Sequence, residues 1–211
     1  MISVLARMLL GYLLGSISGS LVLGRWRGVD IRTQGSGNAG GTNAFRTQGP
    51  WFGLGVGLID VGKGALAAWL GGHGLADGAP PLTVALLAGA AAVAGHVWPL
   101  YHGFRGGKGV APIIGVLLVL WPAALAVLAG VLLLVLTTTG YVGLGSILAS
   151  AALIPASILL ASEHDRTVWL IATVVIASFI LFTHRANVRR MRAGTEHRFE
   201  RARVLARLVG R

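Results

Sequence analysis

The stretch "VAPIIGVLLVLWPAALAVLAGVLLLVLTT" (residues 110–138) decides how the chain is laid out. It is apolar almost throughout. About 20 apolar residues suffice for one membrane-crossing helix, so the stretch reads either as one long helix or as two short ones. Pro122 has no backbone N–H and biases Trp121 away from helical dihedrals, which favours a break near Trp121–Pro122. The choice sets the side of the membrane on which everything downstream lies.

Charge resolves it. Arg25, Arg27, Arg32 and Arg46 follow the first apolar stretch, Arg105 and Lys108 follow the third, and nine arginines follow Thr183. Basic loops face the cytoplasm, and all three can do so only if 110–138 crosses twice. The other spans read as 2–23, 51–70, 82–100, 141–161 and 167–182. The expectation is an all-α, polytopic integral membrane protein with seven transmembrane helices, its N-terminus outside and its C-terminus cytoplasmic. The two spans of 110–138 are short enough to form a thin or re-entrant pair, which protein burial tolerates.

Composition agrees. Of 211 residues 55% are hydrophobic and 12% charged, against about a quarter charged in soluble domains; mean hydropathy is +0.75. The net charge of +11 sits beside apolar spans, which points to orientation and anionic lipid, not nucleic acid. With no cysteine, disulfide and thiolate chemistry are excluded. No small-residue cleavage site follows the first apolar stretch, which reads as a retained span. Within it Gly11, Gly15 and Gly19 share one helix face, suited to close packing.

Residues 1–183 read as the membrane domain, with cytoplasmic loops 25–50 and 101–109 and an outer loop holding His73, Asp77, Pro80 and Pro81. Residues 184–211 read as a basic tail. There Phe199, Ala202, Leu205, Leu208 and Val209 recur at helical spacing, which suggests an amphipathic helix on the cytoplasmic leaflet; a solvated end is the alternative.

Three polar clusters share the cytoplasmic face. "GSGNAGGTNAFR" (35–46) offers glycine amides, Ser36, Asn38, Thr42, Asn43 and Arg46; residues 103–109 offer Gly106, Gly107 and Lys108; residues 184–196 offer His184, Arg185, Asn187 and Arg189. Consecutive glycines can turn several N–H groups toward one anion. Arg grips phosphate in a fork and Lys as a point charge. Together they suit phosphate-bearing ligands. Nucleotide and hydrolase motifs fail: "GLIDVGKG" (57–64) matches GxxxxGK but has Gly64 where Ser or Thr is required, and no GxSxG is present. His96, His102 and His184 are too scattered for a metal site, and His73 has no aspartate five residues on. Asp60 and Lys63, three apart in an apolar span, form either a functional pair or a structural ion pair between helices.

The residues resemble a known family. "DIRTQGSGNAGGTNAFRTQG", "GHVWPLYHGFRGGKGVAP" and "HRANVRRMRAGTEHRF" are similar, in order, to the three cytoplasmic motifs of the PlsY family of bacterial acyl-phosphate:glycerol-3-phosphate acyltransferases. The resemblance implies seven transmembrane helices with the N-terminus outside. It implies transfer of a fatty acyl group from acyl phosphate to the 1-hydroxyl of glycerol 3-phosphate, giving lysophosphatidic acid and phosphate without metal or cofactor. The donor implies a partner enzyme that makes acyl phosphate.

Residue by residue, the resemblance places the first motif on Ser36, Gly37, Asn38, Thr42, Asn43 and Arg46, and the second on Gly106, Gly107, Lys108 and Gly109. The third falls on His184, Arg185, Asn187, Gly194, Thr195 and Glu196. Lys108 with the Gly106 and Gly107 amides is expected to hold the acyl-phosphate group. Arg46, with Ser36, His184 and Asn187, is expected to bind glycerol 3-phosphate and position its hydroxyl; His184 as general base is the rival role. Departures are "AGGTN" for Ile-Gly-Ala-Thr-Asn, Pro112 for Thr, and Gly140 and Gly143 where the family usually has Arg and Ser. A non-catalytic paralogue and an anion carrier are the competing readings.

Overall fold

The structure, a computed structural model, describes residues 2–73 and 81–208. Asp77, Pro80 and Val209 lie outside the described residues. Within them the chain is helical without strands, and it divides into two compact units, 1–121 and 122–211.

The first unit holds α1 (Ile2–Gly15), α2 (Gly19–Trp26), α3 (Gly41–Gln48), α4 (Pro50–Gly72), α5 (Pro81–Val97) and α6 (Val110–Leu120). The expected span 2–23 is not one helix. It breaks at residues 16–18 and bends by 40°. Gly11 and Gly15 lie against the backbone of Ala88 and Ala92 on α5, whereas Gly19, beyond the bend, lies against Val56, Ile59 and Asp60 on α4. The three glycines therefore serve two neighbours, not one. Close approach recurs elsewhere: Gly95 meets the Tyr12 carbonyl, Gly64 meets Pro112, and Gly115 meets Val61. Helices in contact at the backbone gain dispersion that larger residues would prevent. Pro112 is thus a packing residue of α6, fully buried against α4.

The break within 110–138 falls where Pro122 predicts. Trp121 ends α6 with φ −152 and ψ 72, and α7 (Pro122–Thr139) begins the second unit. Five described helices are long and apolar enough to cross a membrane, or six counting the bent α1–α2 pair. Helix α6 is the exception: its 11 residues rise about 16 Å, roughly half of a hydrocarbon core of about 30 Å.

The second unit continues with α8 (Val142–Leu160), α9 (Arg166–Thr183), α10 (Arg185–Arg192) and α11 (Val204–Leu208). Helix α8 packs on α7 and α9, with Gly145 against Leu132. Ser157 and Thr173 form a buried polar contact of 3.3 Å between α8 and α9. Over the described residues 199–208 the tail is not one continuous helix. The Phe199 N–H donates to the Gly140 carbonyl (2.9 Å), and Arg198 stacks over Tyr141 and donates to its hydroxyl (2.7 Å). These contacts hold 198–199 across the α7–α8 turn; a 3-10 turn at Glu200–Ala202 and the short α11 follow.

Candidate active site

The first loop is organised by one buried side chain. Asn43, on the first turn of α3, directs its amide N–H groups at the carbonyls of Ile31 (3.1 Å), Gln34 (2.9 Å) and Asn38 (3.1 Å). Its oxygen accepts from the Ser36 N–H (2.9 Å). An Asn side chain has two N–H donors and one carbonyl oxygen, so Asn43 is committed to the loop. Gly35 and Gly37 turn through positive φ (55° and 72°), and a side chain on Gly35 would strike Asn43. Beneath lies an apolar floor of Ile31, Ala44, Phe52 and Val56. Ser36 and Gly37 are exposed at the rim; Asn38, Thr42 and Arg46 are partly buried.

The second loop leaves α5 through left-handed Gly103 and Phe104 (φ 65° and 59°), with the Phe104 N–H tied back to the Pro99 carbonyl at 3.0 Å. Here one expectation fails. The amides of Gly106 and Gly107, expected to face an anion, donate to the carbonyls of Val97 (3.1 Å) and His96 (3.0 Å). The end of α5 leaves carbonyls without intrahelical partners, and the two glycines satisfy them. They are glycines because a side chain at 106 would enter the His96 backbone and Pro99, and one at 107 the His96 imidazole. Lys108, partly buried, follows them, and left-handed Gly109 (φ 91°) caps the N-terminus of α6. Amides in the first turn of a helix have no intrahelical acceptor, so the amides left open at this loop are those at the start of α6.

Arg32 ties the two loops together. It chelates Asp30 through Nε (3.0 and 3.2 Å) and Nη2 (2.7 Å). Its Nη1 donates to the carbonyls of His102 (2.9 Å) and Arg105 (3.4 Å). The Arg32 hydrogen bond holds the Asp30 carboxyl below its ordinary pKa, against an opposing effect of burial, and Asp30 raises that of Arg32 in turn. Both lie at the start of the first motif, but the sequence does not show what they join. The available signal was scarcity: with seven acidic residues in the chain, one inside a cationic loop needs a partner. Under the loops, Asp60, Lys63 and His96 form a buried polar cluster.

The third motif lies in the second unit. His184 separates α9 from α10 and is buried; its Nδ1 lies 2.9 Å from the Ile180 carbonyl. A carbonyl only accepts, so Nδ1 carries a proton. Glu196 binds Asn187 Nδ2 with one oxygen (2.7 Å) and Arg190 Nε with the other (2.6 Å). Glu196 thereby clamps the segment after α10. Asn187 also rests on Gly143, where a side chain would crowd it. Arg185 is exposed, stacked over Phe182. Thus Ser36, Gly37, Asn38, Thr42, Asn43, Arg46, Gly106, Gly107, Lys108 and Gly109 belong to the first unit, and His184, Arg185, Asn187 and Glu196 to the second. Among the described residues no three His, Cys, Asp or Glu side chains gather as a metal site.

Fold and loops define a multi-pass, all-helical membrane protein with cationic loops suited to phosphorylated compounds. Comparison with known proteins agrees. The family model for glycerol-3-phosphate acyltransferase matches residues 5–194. The glycerol-3-phosphate acyltransferase of Shouchella clausii is 44% identical over 201 residues, covering 93% of this chain and 96% of the relative. That of Chlorobaculum parvum is 40% identical over 228 residues, covering 94% and 97%. A crystal structure of PlsY (YgiH), an integral membrane glycerol 3-phosphate acyltransferase in its glycerol 3-phosphate form, superposes with a TM-score of 0.84 at 34% identity, over 96% of this chain and 98% of that one. Its lysophosphatidic acid form gives 0.83 at 33% identity. The chain belongs to the glycerol-3-phosphate acyltransferase family.

Proposed function

We propose that the protein transfers a fatty acyl group from acyl phosphate to the 1-hydroxyl of glycerol 3-phosphate, giving lysophosphatidic acid and inorganic phosphate, the first step of phospholipid synthesis. The observation that carries this reading is the strap from Arg32 to the carbonyls of His102 and Arg105. It joins the loop bearing Ser36, Thr42 and Arg46 to the loop bearing Lys108, so that one cationic cradle serves two phosphate-bearing substrates.

Lys108, with the N-terminus of α6, binds the phosphate of the donor and stabilises its departure by charge and helix dipole. Arg46 and Ser36 bind the phosphate of glycerol 3-phosphate; Asn38 and Thr42 line the same loop. Holding the 1-hydroxyl beside the acyl carbon makes the attack effectively intramolecular. The hydroxyl oxygen bonds to the acyl carbon, the carbon–oxygen bond to phosphate breaks, and the hydroxyl proton leaves with phosphate. Phosphate is a good leaving group, so the reaction needs neither metal nor cofactor. Asn43, Gly106, Gly107 and Gly109 shape the cradle, Glu196 sets Asn187, and Arg185 adds surface charge.

The loops lie on the cytoplasmic face of a bacterial cytoplasmic membrane, with seven crossings, the N-terminus outside and the C-terminus inside. To count as a crossing, the short α6 must begin below the membrane surface. That depth suits Lys108 to a donor whose acyl chain stays in lipid. A partner enzyme supplies acyl phosphate. The test supplies palmitoyl phosphate and glycerol 3-phosphate to purified protein in lipid mesophase. Equimolar lysophosphatidic acid and phosphate support the reading; phosphate without lysophosphatidic acid overturns it.

A further inference from the structure

The polar groups of the first unit continue below the loops. Asp60, Lys63 and His96 are 0%, 6% and 2% exposed, although α4 and α5 are apolar enough to cross lipid. A buried ion pair is costly unless its partners are satisfied. Lys63 uses all three ammonium donors: Asp60 Oδ1 at 2.8 Å, the Ile17 carbonyl at 2.8 Å and His96 Nδ1 at 2.9 Å. An ammonium only donates, so Nδ1 accepts and the His96 proton sits on Nε2. Nδ1 therefore donates nothing to Asp60 Oδ1, 3.5 Å away. Asp60 Oδ1 also accepts from the Gly19 N–H (3.1 Å).

Two of these partners, the Ile17 carbonyl and the Gly19 N–H, lie at the break between α1 and α2, where interrupted backbone must find partners inside the protein. One residue beyond Gly19, the Ser20 hydroxyl donates to the Ala39 carbonyl of the first loop (2.7 Å). On the other side, the His96 carbonyl accepts the Gly107 N–H (3.0 Å), and the imidazole lies against Gly107, next to Lys108. The cluster thus reaches the first loop through the bent span and the second through His96.

We propose that Asp60, Lys63 and His96 are positioning residues for acyl transfer, a buried strut that sets Lys108 relative to the first loop. The inference rests on the reading of Lys108 as a phosphate ligand. None of the three touches substrate; each acts through Gly107 or the bent span.

The test crosses His96→Leu with Lys108→Ala in the full-length protein and measures kcat and KM for both substrates. It also follows hydrogen–deuterium exchange of amides 103–108. His96→Leu should lower kcat/KM for acyl phosphate about 10- to 100-fold, the scale of one hydrogen bond to a charged group, and speed exchange at 103–108. His96→Asn, whose amide oxygen can accept from Lys63 in place of Nδ1, should recover most of the loss. In the Lys108→Ala background His96→Leu should cost much less, because both act on one group. Equal losses in both backgrounds overturn the proposal, as do parental kinetics and exchange in His96→Leu. If His96→Leu does not fold, Lys63→Gln carries the same cycle. If Lys108→Ala keeps parental activity, the substrate reading fails instead, and exchange decides the strut: faster exchange at 103–108 sustains it, and unchanged exchange overturns it.

Discussion

Arg32 Nη1 donates to the carbonyl oxygen of His102 at 2.9 Å, across 70 positions of sequence. The bond joins the two glycine-rich loops of the first unit. Asp30 holds the guanidinium in place with a second set of contacts, so the strap has a fixed length and direction. Arg32→Gln should leave the helices intact and loosen the Lys108 loop. The expected loss in kcat/KM is about 10- to 100-fold, the scale of one or two charged hydrogen bonds. Steady-state kinetics checks it; parental kcat/KM in a folded variant would show that the strap does not position Lys108.

The same pair predicts a pH dependence. The Arg32 hydrogen bond lowers the folded-state pKa of Asp30. A carboxyl with a depressed folded pKa stabilises fully above its unfolded value, about 3.9, and its contribution is lost as pH falls through the lower folded value. The melting temperature of the parent should exceed that of Asp30→Asn by a constant margin above about pH 5. The margin should shrink below about pH 4. Thermal unfolding of both proteins across this range checks the sign.

Asn43 donates to three carbonyls and accepts one N–H. Asn43→Asp keeps the acceptor for Ser36 and replaces the donors with a second oxygen facing those carbonyls. It should destabilise the protein by about 3 kcal/mol or more, as an unpaired buried charge does, and abolish turnover. Asn43→Ala should be milder in stability. Denaturation and activity assays in parallel would separate the two; an active, stable Asn43→Asp would contradict the hub.

Glu196 serves two donors at once, Asn187 and Arg190. A glutamine has one oxygen, so its NH2 must face one of those donors. Glu196→Gln should release Asn187 and raise KM for glycerol 3-phosphate or lower kcat, by about tenfold for one lost hydrogen bond. Initial-rate measurements over both substrates show which.

Particular residues show how much of this could be read in advance. Pro122 acts on its neighbour's dihedrals whatever the tertiary setting, so the break at Trp121 was legible. The break after Gly15 was not, because it carries no proline; the groups that stabilise it, Asp60 and Lys63, stand more than forty positions away. Glycines at 106 and 107 suit an anion nest and a close packing contact equally well. The carbonyls at the end of α5 decide between them, and composition does not reveal that. The apolar spacing from Phe199 to Val209 looks helical, yet Gly140 and Tyr141 hold residues 198 and 199 across the α7–α8 turn, and Glu200–Ala202 forms a 3-10 turn. The glycine, amide and cationic residues of the motifs were legible as candidates; Asp30, Arg32 and His96 lie within the same stretches, but what they join is set by the fold.

The proposed reaction turns on Lys108 holding phosphate as the leaving group. The most direct measurement gives purified protein glycerol 3-phosphate with either palmitoyl phosphate or palmitoyl-CoA, with Lys108→Ala alongside, and follows lysophosphatidic acid. Product is expected from acyl phosphate alone, lost in Lys108→Ala by a factor of about 100 or more. Product from palmitoyl-CoA at a comparable rate, or full activity of Lys108→Ala with palmitoyl phosphate, would contradict it.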